Sequence, residues 1–304
     1  MNSATEHAGN ETAEEMLLTE VSGSIAILTL NRPSARNALS EPLLVALGAQ
    51  LDAIAADRTI AAVIITGAAP AFCAGHDLRE MTAARDSNDR GRAAFEHLFV
   101  LCSTVMQKIV NLPQPVIAAV EGIATAAGCQ LVATCDLAIA SRESRFATPG
   151  VHIGLFCSTP MVALSRNLSR KHAMEMLLTG DLVSAQDAVR MGLINKAVEP
   201  GTAMAEARAL AEKIASKAAA VTAIGKRAFY HQAELPLDEA YDYGSRVMAE
   251  NMLLASANEG IGAFVGKRAA EWPEESPETL SIASPKSASP DSASKAAPKP
   301  TIKT

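Results

Sequence analysis

Short apolar runs that alternate with helical stretches constrain this chain more than any other feature. Residues 61–66, 115–120 and 137–140 are rich in Val, Ile and Ala. Runs of that length suit buried strands, because a helix needs a longer stretch to turn a face inward. Between them, residues 41–56 place Leu43, Leu44, Leu47, Leu51 and Ile54 at helical spacing. Residues 91–111 and 124–134 read as two further helices. Strand–helix–strand units imply an α/β fold with largely parallel sheets and right-handed crossovers. Upstream, residues 17–21 and 25–30 flank Ser22-Gly23-Ser24 and read as a hairpin.

Beyond residue 158 the pattern turns mainly helical. Ser184 to Asp187 looks like a helix start. Residues 193–198 read as one late strand, and residues 202–217 and 239–264 as helices. The predicted organisation is a polar N-terminus over 1–15, a core over 16–200, a helical region over 201–273 and a Ser/Ala/Pro/Lys tail over 274–304. Both polar ends lack the apolar surface needed to offset ordering entropy.

Composition narrows the function classes. With 304 residues and 49% apolar content the chain can bury a sizeable core. The net charge of −6 offers no basic stripe for nucleic acid. The five cysteines are odd in number, form no CxxC pair and cluster with no histidine at ligand spacing, so neither a disulfide framework nor a metal site is expected. Residues 1–15 contain no Lys or Arg, and the apolar runs are broken before they reach membrane-spanning length. These features predict a cytoplasmic protein with no membrane association.

Two Gly/Ala-rich turns follow strands. The first is AFCAGHDL over 71–78, where Asp77 is placed to cap a helix opening at Leu78. The second is GIATAAGCQ over 122–130. Each can present backbone N–H groups, and two converging on one oxygen would polarise a carbonyl. On spacing alone, close-packed connections with no ligand are the simpler reading of both.

The order of these segments decides more than either alone. LNRP and NAL near residues 30–39, then AFCAGHDL, GIATAAGCQLVATCDLAIAS, FATPG to STP over 146–160, and EGI with Phe264 and Lys267-Arg268 together resemble the crotonase (enoyl-CoA hydratase/isomerase) superfamily over residues 17–273. The resemblance implies stacked ββα turns forming a spiral core and a C-terminal helical oligomerisation region. It implies a lyase of fatty acid metabolism acting on an acyl-CoA thioester, and a homotrimer or dimer of trimers. Coenzyme A would arrive as part of the substrate, with no prosthetic group. Backbone N–H groups of Ala74 and Ala127 match the oxyanion hole. Arg36, Ala74, His76, Asp77, Leu78, Phe264 and Lys267 match positions around the thioester.

Two positions depart from the family. Gln130 and Gly150 stand where its usual catalytic glutamates would be. An amide does not titrate near neutrality, and glycine has no side chain. His76 and His152 are the candidate substitutes. Cys157 and Ser158 are weaker ones as nucleophiles, and Ser158 reads better as a helix cap before Pro160. The sequence therefore leaves open an enzyme of atypical enolate chemistry and a non-catalytic acyl-CoA binder.

Overall fold

Strands β1 (Leu17–Ser22) and β2 (Ile25–Leu30) pair antiparallel through a two-residue turn, with Gly23 at φ 60. The structure is a computed structural model, and it describes residues 16–275. The polar ends proposed over 1–15 and most of 274–304 lie outside the described residues. The chain divides into two compact units, the first reaching to Ala223 and the second beginning at Ile224.

In the first unit β2 continues into parallel pairs with β3 (Ala62–Gly67), β4 (Val116–Val120), β6 (Leu137–Ser141) and β9 (Lys196–Val198). The order is β1-β2-β3-β4-β6-β9. Successive side chains alternate faces. Ile25, Ile27, Ala62, Ile64, Ile117, Ala119 and Ile139 share one face with Ala203, Ala207 and Ala211 of α8 (Ala203–Ala215). Ala26, Leu28, Leu30, Val63, Ile65, Val116, Ala118 and Val120 face the larger core on the other side. Burial of both faces explains why these strands read as unbroken apolar runs. It also moves a boundary. The sequence predicted one near residue 200, but α8 packs its alanines on the sheet and belongs to the first unit.

The larger core is closed by α1 (Glu41–Ala56) and α3 (Arg92–Asn111). By length and composition α3 is apolar enough to cross a membrane, contrary to the sequence reading of broken runs. Here it buries Leu98, Cys102, Val105, Met106 and Ile109, while Lys108 pairs with Asp52 of α1 at 2.5 Å.

A small second sheet joins β5 (Ile123–Thr125), β7 (Arg145–Ala147) and β8 (Val183–Ser184). It corrects the helix predicted over 124–134. That segment starts as strand, because Ala124 pairs with Phe146 and bridges Cys73, and the helix α4 (Ala127–Thr134) begins three residues later. The remaining first-unit helices are α2 (Leu78–Ala84), α5 (Pro160–Asn167), α6 (Arg170–Thr179) and α7 (Ala185–Met191). Thr159, not Ser158, is the cap residue of α5, with Pro160 at its first position. Ser184 caps α7 as predicted, accepting the Asp187 N–H at 3.1 Å.

Helix α9 (Ala219–Gln232) leads into the second unit. The helix predicted over 239–264 is two helices, α10 (Leu237–Met252) and α11 (Ala255–Val265), because Leu254 adopts extended geometry between them. Tyr243 and Val247 of α10 are buried, and the Tyr243 ring meets His231 edge-on at 4.5 Å. Leu237, Leu253, Phe264 and Val265 are strongly exposed.

Candidate functional site

The first unit holds a cavity of 1180 Å³. Arg36, Ala74, His76, Asp77, Leu78, Ala127, Gly150 and His152 all line it, so most of the sequence-predicted residues meet in one place. Gln130 does not line it. Phe264 and Lys267 belong to the second unit. There Phe264 is 85% exposed on α11 and Lys267 takes a left-handed backbone. Arg268 beside it is held by Glu259 at 2.5 and 2.8 Å.

One wall is the loop before α1. Asn37 is fully buried, with φ 55, and organises it. Its Oδ1 accepts the Arg32 N–H at 2.8 Å, and its Nδ2 donates to Ala68 and Ala71 carbonyls at 2.7 and 2.6 Å. Arg32 donates to the Ala38 carbonyl at 2.7 Å and pairs with Asp77 at 3.0 Å. The Asp77 side chain also accepts the Arg79 N–H at 3.1 Å, which caps α2. Asp77 is therefore committed to holding the turn.

The two Gly/Ala-rich turns are stitched together. Cys73 N–H donates to Ile123 O at 3.1 Å, Thr125 N–H to Cys73 O at 2.9 Å, and Thr125 Oγ1 to Ala74 O at 3.1 Å. A Cβ on Gly75 would sit 2.8 Å from the Ala126 Cβ and 3.2 Å from Thr125 O, and one on Gly128 only 2.2 Å from Cys73 O. Glycine at both positions is what lets the backbones meet.

This stitching corrects one assignment. The Ala74 N–H donates to Arg36 O at 3.0 Å and is not available to a ligand. On the same turn Gly75 O accepts from Leu39, and Asp77 N–H donates to Leu39 O. Among the cavity-lining residues of this turn, the N–H groups of His76 and Leu78 have no partner among the described residues, and His76 is the one next to Gly75, whose added Cβ would meet the second turn. On the second turn the Ala127 N–H is likewise unpartnered, at the first position of α4. Helix geometry leaves such N–H groups unsatisfied and positively polarised.

The candidate proton-transfer groups differ sharply. The His76 ring packs edge-on against Phe99 at 5.5 Å, and both its nitrogens are shielded and unpartnered. Burial lowers its pKa, and the nearby Leu39 carbonyl, outside hydrogen-bond geometry, pulls the other way less strongly. The native state thus resists the proton that the unfolded chain takes up below the ordinary value of 6.5. Stability should fall as pH drops through and below that value, since the unfolded state then binds more protons. Melting curves between about pH 7.5 and about pH 5 should show a larger loss for the wild type than for His76→Gln. Equal losses would mean that the ring is solvated in solution.

His152 is exposed at the cavity wall, and its Nε2–H donates to Thr179 O at 2.8 Å, which leaves Nδ1 as the basic nitrogen. Gln130 is 4% exposed in the first turn of α4, with its Oε1 buried and unpartnered. Gly150 is buried, and a Cβ there would lie 2.7 Å from Leu155 O and 2.9 Å from Cys157 Sγ. Burial pushes the Cys157 thiol up, and Cys129 to about 12, so neither is a ready nucleophile. Sequence reasoning missed Glu80, Phe99, Leu155 and Phe156 in the lining. The motif was read only as far as Leu78, and Glu80 in a helical first turn looks like ordinary capping chemistry.

Comparison with known proteins fits this arrangement. The enoyl-CoA hydratase/isomerase family model matches residues 20–275. The chain belongs to that family. Among enoyl-CoA hydratase/isomerase relatives, the rat enoyl-CoA hydratase domain-containing protein 3, mitochondrial, is 45% identical over 87% of each chain. A probable enoyl-CoA hydratase of Rhizobium meliloti is 36% identical over 85% of this chain and 98% of its own. The crystal structure of a Mycobacterium smegmatis enoyl-CoA hydratase superposes with a TM-score of 0.81 at 50% identity, covering 84% of this chain and 98% of that one. Human enoyl-CoA hydratase domain-containing protein 3 gives 0.80 at 43% identity, covering 84% and 100%. The crotonase fold read from the sequence is thereby shown. The cytoplasmic expectation is overturned, because the rat, mouse and human relatives are named mitochondrial.

Proposed function

We propose that the cavity binds an acyl-CoA thioester with its carbonyl oxygen between the His76 and Ala127 N–H groups. The observation that carries this reading is the pair of unpartnered donors on two turns that are bonded to each other. Fixed donors of this kind stabilise an oxygen as it gains charge, and each is worth about 10²–10³ in rate where one has been removed from a known hole. Arg36 lies on the same lining and suits the anionic nucleotide end. Coenzyme A enters as part of the substrate, and no prosthetic group is invoked. The exposed Leu237, Leu253, Phe264 and Val265 support self-association, and the family resemblance makes a homotrimer or dimer of trimers the expected form.

The chemistry that fits these donors is enolate formation at the carbon next to the thioester, within the fatty acyl-CoA hydratase/isomerase class. A second reading, a non-catalytic acyl-CoA binder, is favoured by Gly150, where a side chain has no room. Calorimetric titration with crotonyl-CoA and longer enoyl-CoAs should show binding. Turnover of the same panel then separates the readings, with hydration well above the solution rate marking an enzyme. A folded protein that binds none of the panel would sink both.

A further inference from the structure

The resting problem for an enzyme here is a base, since neither Gln130 nor Gly150 titrates. Resting on the thioester reading above, we propose that Glu80 removes and returns the proton on the carbon next to the thioester carbonyl. The competing groups on the lining differ from Glu80 in how they are held. Asp77 is ion-paired to Arg32 and caps α2. The His76 ring nitrogens are sealed from solvent and unpartnered. His152 donates Nε2–H to Thr179 O and keeps Nδ1, so it is the rival base, and His152→Gln should exchange like the wild type if Glu80 carries the step. Glu80 lines the same cavity, in the first turn of α2, four residues after His76. Its Oε2 accepts the Glu41 N–H at 3.1 Å, while Oε1 accepts no hydrogen bond among the described residues. One oxygen therefore orients the carboxylate and the other is free to take a proton.

The surroundings agree. Partial burial raises its pKa, Asp77 and Glu41 push in the same direction, and the Glu41 N–H and Arg32 oppose them. Behind Glu41, His97 of α3 pairs with the Glu41 carboxylate at 3.1 Å. A base works best when its pKa approaches the working pH. In the step, the C–H bond breaks and its proton passes to Oε1. The electron pair moves into the enolate, whose oxygen rests on the His76 and Ala127 N–H groups. Return of a proton from the carboxylic acid restores the thioester, so no co-reactant is consumed.

The test is hydrogen–deuterium exchange at that carbon of butyryl-CoA in D₂O, read by mass spectrometry, with calorimetric affinity measured alongside. Glu80→Gln keeps an oxygen for the Glu41 N–H but does not titrate. It should bind butyryl-CoA like the wild type and exchange at least about 100-fold more slowly. The rise of wild-type exchange with pH should vanish in the variant. Wild-type exchange in Glu80→Gln overturns the assignment, as does a wild type that binds without exchanging. No binding by wild type overturns the thioester reading itself, and the role of Glu80 falls with it.

Discussion

Replacing Asn37 with Leu should destabilise the protein by about 4 kcal/mol, a large share of a domain's total. The side chain is fully buried and makes three hydrogen bonds, to Arg32 N–H and to the Ala68 and Ala71 carbonyls. Leu has the bulk but none of the partners. Each buried group left unpaired forfeits about 1–3 kcal/mol. Asn37 also sits at φ 55, where a branched apolar residue is strained by about 1–2 kcal/mol more than one such as Asn. The individual terms do not add fully, so the central figure is smaller than their sum. Chemical denaturation checks it. A loss below about 1 kcal/mol would show that water reaches these groups and that the loop is not held as the geometry suggests.

The second large effect falls on the seam between the two turns. Gly128→Ala should cost about 2–3 kcal/mol of stability and weaken any thioester chemistry by about 100-fold. The added Cβ would stand 2.2 Å from Cys73 O and 2.8 Å from both the Cys73 carbonyl carbon and Cβ. Two of these are backbone atoms, so no rotamer change relieves the contact. The turn carrying Cys73 must retreat, which stretches the Thr125–Cys73 hydrogen bond and separates His76 from Ala127. A shift near 1 Å is enough to cost a reaction about 10²-fold. Gly225→Ala is the control, because nothing lies within 4 Å of its added carbon. Denaturation and butyryl-CoA exchange together make the test. Unchanged values for Gly128→Ala would mean that the turns are not rigidly coupled.

Much of this architecture was legible because local rules sufficed. The hairpin at Gly23, the buried runs of β3, β4 and β6, and the Asp77 cap each follow from a period or a turn residue. Strand β5 was not legible. Three residues carry no period, and only pairing with Phe146 and Cys73 makes Ala124 extended. The break at Leu254 has no Gly or Pro to announce it. At the site, the resemblance pointed to the Ala74 N–H, which the structure shows already bonded to Arg36 O. That Ala74 is engaged depends on Arg36 O, a contact between segments far apart in sequence. Glu80 was invisible for a similar reason. The hydrogen bond that orients it comes from Glu41, 39 residues earlier, and nothing beside Glu80 in the sequence announces it.

The packing around Gly150 bears on how this protein can change. A carboxylate at that position is not one substitution away, because Leu155 O and Cys157 Sγ occupy the space its first carbon would need. The segment from 150 to 157 would have to be re-routed first, and Leu155 N–H already donates back to Gly150 O at 2.9 Å. The order of changes is therefore constrained: position 150 is a loop-remodelling problem, whereas Gln130 accepts the shape of Glu but, buried and outside the lining, gives its charge no partner.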